Sequence, residues 1–239
     1  MERKRYVVMM AAGSGTRMGA ELPKQFLQLD GKAILQRTIE VFLEACPGIS
    51  VITVLPEDFI QYWKDYCLEH NFICPQTLVK GGITRFHSVR NALAKVPEGA
   101  LVAVHDGVRP MITVSKIREL YDLAQTCPGV IPVIPCVDTM KVLRPSESKG
   151  IWEEIPAEAV DRSILFGAQT PQIFQSEIIK AAYDMAYDTA FTDDASVVSR
   201  YGKSLSYAMG ERLNIKITTP EDLILVKAVS AALQEGYSL

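Results

Sequence analysis

The sequence is poor in the residues that build several common kinds of site. Only three histidines occur among 239 residues, at 70, 87 and 105, and they share neither a helix face nor a ligand spacing, which argues against a zinc centre. The five cysteines, Cys46, Cys67, Cys74, Cys127 and Cys136, are odd in number and form no Cys-x-x-Cys clip, so free thiols in a reducing, cytoplasmic setting are expected. No Gly-x-Ser-x-Gly elbow is present, which leaves a Ser-His-Asp hydrolase without its nucleophile. Positive charge is not in excess. With 25 Lys and Arg against 28 Asp and Glu, a chain of net charge −3 has no general attraction for long nucleic acid. Apolar runs are short: Tyr6–Ala12 falls far below a membrane span or a secretory core and reads as a buried first strand. Internal repeats, low-complexity tracts and linkers are lacking as well.

What is present is enough apolar residue, 48%, to bury a large core, and one domain over 1–239 is the simpler expectation. Short runs rich in β-branched residues recur at Tyr6–Met10, Ser50–Leu55, Gln76–Val79, Leu101–His105, Val130–Ile134, Ser204–Ala208 and Asn214–Ile217. Helical patterns fall between them, the signature of βαβ units and a largely parallel sheet. Ile34, Leu35, Ile39, Phe42 and Leu43 lie on one helical face that Pro47-Gly48 ends, and Phe59, Ile60, Trp63, Tyr66 and Cys67 make a second stripe. Near the end, Thr219 can cap a helix whose first turn holds Pro220, Glu221 and Asp222. The expected fold is a Rossmann-like three-layer α/β/α arrangement with a mostly parallel twisted sheet.

The stretch from about 137 to 163 breaks that rhythm. Thr139–Arg144 and Ile151–Ile155 read as two strands around a turn, a β-hairpin arm protruding from the α/β body. Val142, Leu143, Ile151, Trp152 and Ile155 would leave it an apolar side needing cover, which a partner subunit can supply.

Directly after the first strand comes Ala11-Ala12-Gly13-Ser14-Gly15-Thr16-Arg17-Met18-Gly19, and then Pro23-Lys24-Gln25-Phe26. Glycines there let backbone N–H groups approach an anion closely. The loop is not a dinucleotide fingerprint, because Met18 stands where close helix packing calls for Gly or Ala. Nor is it a Walker A loop, since no Gly-Lys-Ser/Thr closes it. Lys80-Gly81-Gly82-Ile83-Thr84-Arg85-Phe86-His87-Ser88-Val89 puts paired glycines after a strand and a hydroxyl just beyond, which alone reads equally well as a loop and a cap. Val104-His105-Asp106-Gly107-Val108-Arg109-Pro110 ends a buried strand with a carboxylate and a guanidinium, at the edge where open α/β sheets take ligands. Asp106 can hold a hard cation through oxygen. Alternatively, Asp106 and Arg109 form an ion pair that only ties a loop. Thr192-Asp193-Asp194-Ala195-Ser196 reads as a helix cap, a role given to Asp194, with Asp193 allowed a place beside the site. Lys216 stands in an otherwise apolar Asn214–Ile217 segment and calls for an anion.

Gly-x-Gly-Thr-Arg-Met followed by Pro-Lys resembles the signature loop of the nucleotidylyltransferases that join a sugar phosphate to a nucleoside triphosphate. Within these, Gly-Gly-x-x-Arg-x-x-Ser-Val, the Gln169-Thr170-Pro171-Gln172 segment and the Lys216 segment are similar to the 2-C-methyl-D-erythritol 4-phosphate cytidylyltransferase family, in the family's order from Tyr6 to about Leu225. Gly107-Val108 departs from it, standing where Ala-Ala is commoner. The resemblance implies CTP and Mg²⁺, with Ala11, Ala12, Gly82 and Ser88 near the base. Gly13, Ser14, Gly15 and Thr16 would cradle the triphosphate with Arg17, Lys24 and Lys216 as the catalytic cations, and Asp106 would hold the metal. It also implies Arg109, Thr139, Thr170 and Arg162 around the acceptor phosphate, with Arg162 reaching across a homodimer. A ribitol-5-phosphate cytidylyltransferase has similar motifs, and a nucleotide-binding regulator without chemistry is the alternative from another class.

Overall fold

The computed structural model describes residues 3–13, 22–155 and 160–236. The chain runs through β1 (Arg5–Met10), the short pair β2 (Gln28–Leu29) and β3 (Lys32–Ala33), α1 (Ile34–Ala45), β4 (Ser50–Leu55), α2 (Ile60–Glu69), β5 (Gln76–Lys80), α3 (Arg85–Leu93), β6 (Leu101–Asp106), α4 (Val114–Leu123) and β7 (Gly129–Pro135). It continues through β8 (Leu143–Pro145), β9 (Trp152–Glu154), β10 (Phe166–Ala168), β11 (Gln172–Gln175), α5 (Ser176–Tyr183), α6 (Asp194–Arg200), β12 (Ser206–Met209) and α7 (Pro220–Gln234).

Eight strands form one sheet in the order β10-β7-β11-β6-β1-β4-β5, with β12 also pairing with β7. β1 pairs in parallel with β4 and β6, β4 with β5, and β12 with β7; β10 and β11 run antiparallel to their neighbours. From β1 the chain builds outward through β4 and β5, then returns to place β6 on the other side. That reversal opens a crevice beyond the carboxyl ends of β1 and β6.

β1 is apolar from Val7 to Met10 because both its faces are covered there. Val7 and Met9 enter a layer with Leu35, Ile39 and Phe42 of α1, Trp63 and Tyr66 of α2, and Ile117, Leu120 and Tyr121 of α4. Val8 enters the opposite layer with Phe86 and Val89 of α3, Ile179 and Tyr183 of α5, and Val197 and Val198 of α6. A smaller cluster of Leu29, Ile34, Val108, Ile217 and Val226 seats α7. Burying each such large side chain contributes about 1.5–3 kcal/mol, so the three layers anchor the strand ends firmly. α7 begins as its sequence foretells: the Thr219 hydroxyl accepts from the Asp222 amide, Asp222 Oδ2 accepts from the Thr219 amide, and Pro220 sits in the first turn.

The expected strand at Asn214–Ile217 does not form. No ladder runs beside it; the Ile217 amide donates to Val108 O, while Arg109 and Gln169 side chains take the Asn214 carbonyl. The alternation Asn-Ile-Lys-Ile arises instead because Ile217 fills the small cluster under α7 while Lys216 faces the crevice. Conversely, β10 and β11 are strands where none was expected. β8 and β9 form a separate two-stranded hairpin outside the main sheet, at the position read from the sequence.

Candidate active site

A cavity of about 320 Å³ lies at the crevice. Its walls come from the end of β1 (Met10 to Gly13), the turn after β5 (Gly82 to Arg85, with Ser88) and the end of β6 (Asp106, Val108), together with Lys24, Gln25 and Lys216. Ala11, Ala12, Gly13, Lys24, Gly82, Ser88, Asp106 and Lys216, eight residues singled out in the sequence, therefore share one space. Ser14, Gly15, Thr16 and Arg17 lie outside the described residues.

Each wall is locally determined. Lys24 opens a 3-10 turn after Pro23, whose ring favours the extended entry that precedes it. Gly82 is required sterically, since a Cβ there would come within 2.5 Å of His87 Cβ. Its amide donates to Ser88 Oγ at 2.9 Å and that hydroxyl donates to Thr84 O at 3.0 Å, so Ser88 first of all holds the glycine turn shut. Gly107 is explained in the same way: a Cβ would meet Leu35 Cδ1 at 2.9 Å and Met10 O at 3.2 Å. The departure at this position thus matches a tight approach between β6's end and α1.

Asp106 is the electrostatic centre. Its Oδ2 lies 3.1 Å from Lys216 Nζ and 3.1 Å from Arg109 Nε. Burial alone would raise its pKa, but the charges of Lys216, then Arg109 and Arg85, outweigh that and hold the carboxyl well below the usual carboxylate range. Its amide donates to Thr170 Oγ1 at 3.0 Å, so Thr170 lies directly behind the carboxylate. Arg109 realises the ion-pair reading. With Nη1 on Asn214 O at 2.7 Å as well, its fork is turned to the protein rather than to the cavity wall. His105 completes this buried corner, its Nε2 facing Arg109 O at 3.3 Å and its ring packed on Phe42. Burial lowers its pKa to about 4. Thr139 is exposed near the arm, and the Arg162 guanidinium donates to Val137 O there; the arm carries both away from this chain's own cavity.

Arg85 and Asp194 were not paired in the sequence reading. Arg85 lines the cavity and meets both Asp194 oxygens at 2.9 and 2.6 Å, while Tyr183 donates to Asp194 Oδ1 at 2.5 Å. The two neighbouring acids therefore exchange roles: Asp193 is the α6 cap, in a capping box with Ser196, and Asp194, fully buried, supports a site residue. One signal was available. Arg85 is the first residue of α3, where the helix dipole disfavours a cation, so it needs an anion from elsewhere.

Among the described residues no group of three His, Cys, Asp or Glu could hold a metal by itself. Among the described residues that line the cavity, Asp106 is the only carboxylate. A single carboxylate suits Mg²⁺, which keeps water and takes phosphate oxygens for its other positions.

The family model for 2-C-methyl-D-erythritol 4-phosphate cytidylyltransferase matches residues 6–231. The protein of that name from Bacteroides thetaiotaomicron is 44% identical over 226 residues, covering 95% of this chain and 99% of its own. Its namesake from Porphyromonas gingivalis (strain W83) is 43% identical over 229 residues, at 95% and 98% coverage. Among solved structures, the 4-diphosphocytidyl-2C-methyl-D-erythritol synthase from Anaerococcus prevotii superposes with a TM-score of 0.76 at 25% identity, covering 97% of this chain and all of that one. The Francisella tularensis 2-C-methyl-D-erythritol 4-phosphate cytidylyltransferase gives 0.75 at 28% identity, with 94% and 99% covered. With the family model spanning residues 6–231 and relatives of that name 43–44% identical over nearly the whole chain, the chain belongs to the 2-C-methyl-D-erythritol 4-phosphate cytidylyltransferase family.

Proposed function

We propose that this protein transfers CMP from CTP to the phosphate of 2-C-methyl-D-erythritol 4-phosphate, releasing pyrophosphate and giving 4-diphosphocytidyl-2-C-methyl-D-erythritol for isoprenoid synthesis. The observation that carries this reading is the convergence of Lys24 and Lys216, 192 residues apart (216 − 24), on one cavity whose deepest acid is Asp106. Two anions must meet for this reaction, and fixed cations are what lowers their repulsion.

CTP enters with its base against Ala11, Ala12, Gly82 and Ser88, in the shallow space that two glycines leave. Its triphosphate lies on the loop of residues 13–17, with Arg17, Lys24 and Lys216 around the α- and β-phosphates. Asp106 would hold Mg²⁺ beside the triphosphate, and the ion would supply charge neutralisation there. The acceptor's phosphate is held by Thr139 and Arg162 of the arm, and by Arg109 and Thr170 once the incoming phosphate draws the Arg109 fork from Asp106 and the Asn214 carbonyl. One of its oxygens forms a bond to the α-phosphorus as the bond to the bridging oxygen breaks, and pyrophosphate leaves with that electron pair. A phosphate monoester is already ionised near neutral pH, so no strong general base is required.

The arm supports a homodimer. Ile151 and Trp152 are 57% and 61% exposed, and Val142 and Leu143 lie beside them, an apolar surface that one chain alone leaves in water. The five cysteines are all free, in keeping with a cytoplasmic setting. No helix among the described residues is long and apolar enough to cross a membrane.

Pyrophosphate release from each common nucleoside triphosphate, crossed with methylerythritol phosphate and ribitol phosphate, tests base and acceptor together. CTP with methylerythritol phosphate should be the fastest pair. Preference for ribitol phosphate or for another base would overturn the assignment.

A further inference from the structure

Gln25 follows Lys24 in the 3-10 turn and is 1% exposed, an unusual depth for an uncharged amide on a cavity wall. Its side-chain nitrogen lies 2.7 Å from Ala11 O and 3.3 Å from Gly13 O. Carbonyl oxygens only accept, so the NH₂ end is the one that faces them, and both of its protons are engaged. Ala11 is thereby fixed through both backbone groups, because its amide donates to Val54 O at 2.9 Å.

This arrangement answers a problem common to all backbone anion sites. A peptide that presents its N–H to a phosphate must send the adjoining carbonyl elsewhere, and a carbonyl that swings back repels the anion. We propose that Gln25 is a positioning residue for the triphosphate: by holding the Ala11 and Gly13 carbonyls away from the cavity it keeps the start of the glycine loop in its anion-accepting form. Because Lys24 sits on the same turn, Ala11, Gly13 and this cation are tied together through Gln25. The inference rests on the reading of the cavity as the CTP site.

The test compares wild type with Gln25→Met, which keeps the volume and loses both donors, and Gln25→Glu, which aims oxygen at the two carbonyls. Pyrophosphate release is measured alongside inhibition by cytidine and by inorganic tripolyphosphate. Orphaning buried acceptors should lower kcat/KM for CTP about tenfold in Gln25→Met, and a repelling carboxylate about a hundredfold in Gln25→Glu. KM for the acceptor should stay near wild type and inhibition by cytidine should weaken only slightly, since Ala11 also borders the base, while tripolyphosphate binding weakens with the loss of activity. Wild-type kcat/KM in both variants, or equal weakening of cytidine and tripolyphosphate, would overturn the proposal. Should Gln25→Met not fold, Gln25→Asn, which keeps the donors and loses their reach, replaces it on the same terms. An inactive wild type would sink the CTP reading instead, which an active wild type with unaffected variants would leave standing.

Discussion

The crevice at the ends of β1 and β6 and the hairpin of β8 and β9 treat exposure in opposite ways. In the crevice nearly every polar group is committed: Asp106 to two cations, Arg85 to Asp194, Ser88 to two backbone groups, Gln25 to two carbonyls. In the arm the ion pairs Lys141–Glu154 and Arg144–Glu153 stand in water, and large apolar side chains stand beside them. The described crevice takes its contacts from within one chain and can be judged from that chain. The arm, a two-stranded ribbon with too little core of its own to be stable by itself, leaves its apolar residues without cover from this chain.

Four experiments break or sharpen that contrast. The largest effect belongs to Lys216→Ala, which removes a charge needed mainly in the transition state; kcat should fall about 10²–10³-fold with a smaller change in KM, as measured by pyrophosphate release. A fall in affinity alone would place Lys216 outside the chemistry. Next comes Asp194→Ala, which leaves Arg85 without its anion and should cost about 2–3 kcal/mol in urea unfolding, toward the low end because Arg85 keeps a third of its side chain exposed. Trp152→Glu should do the reverse, leaving the unfolding of the α/β body unchanged while weakening self-association by about 2 kcal/mol or more in sedimentation. Mixed Lys24→Ala and Arg162→Ala proteins, which exchange subunits, should then recover activity that Trp152→Glu abolishes.

The smallest effect is a pH slope. His105 stays neutral in the fold down to a pKa of about 4, whereas its unfolded value is near 6.5. The unfolded chain therefore binds more protons between those values, and stability falls as pH drops through that window. In the nucleotide- and metal-free protein this should amount to about 1–2 kcal/mol between pH 6.5 and 5, and His105→Gln should flatten the slope.

Much of the fold could be read locally. α7 announces itself because its cap, proline and first-turn acids are neighbours, and the β1–α1–β4 unit because apolar period and β-branched runs are local signals. β11 could not be read so, as four residues become a strand only by pairing with β6 some 70 positions earlier, antiparallel in a mostly parallel sheet. The site shows the same division. Glycine loops and isolated cations stand out in a sequence, whereas the bond from Gln25 to Ala11 and the pair Arg85–Asp194 are facts of folding, the latter joining residues 109 apart. Lys216 lies on the cavity wall but not on the strand expected for it: an extended segment without a ladder aims it at Asp106.

The sharing of Asp106 between Lys216 and Arg109 has a consequence for what the resting enzyme ignores. A stray monovalent anion must compete with a counter-ion the protein carries within itself, and it brings only one charge to the exchange. On the proposed function, a polyphosphate arriving with Mg²⁺ would offer the carboxylate a metal in return for the ammonium it releases. Discrimination against small anions would then begin with a trade that only the full substrate completes.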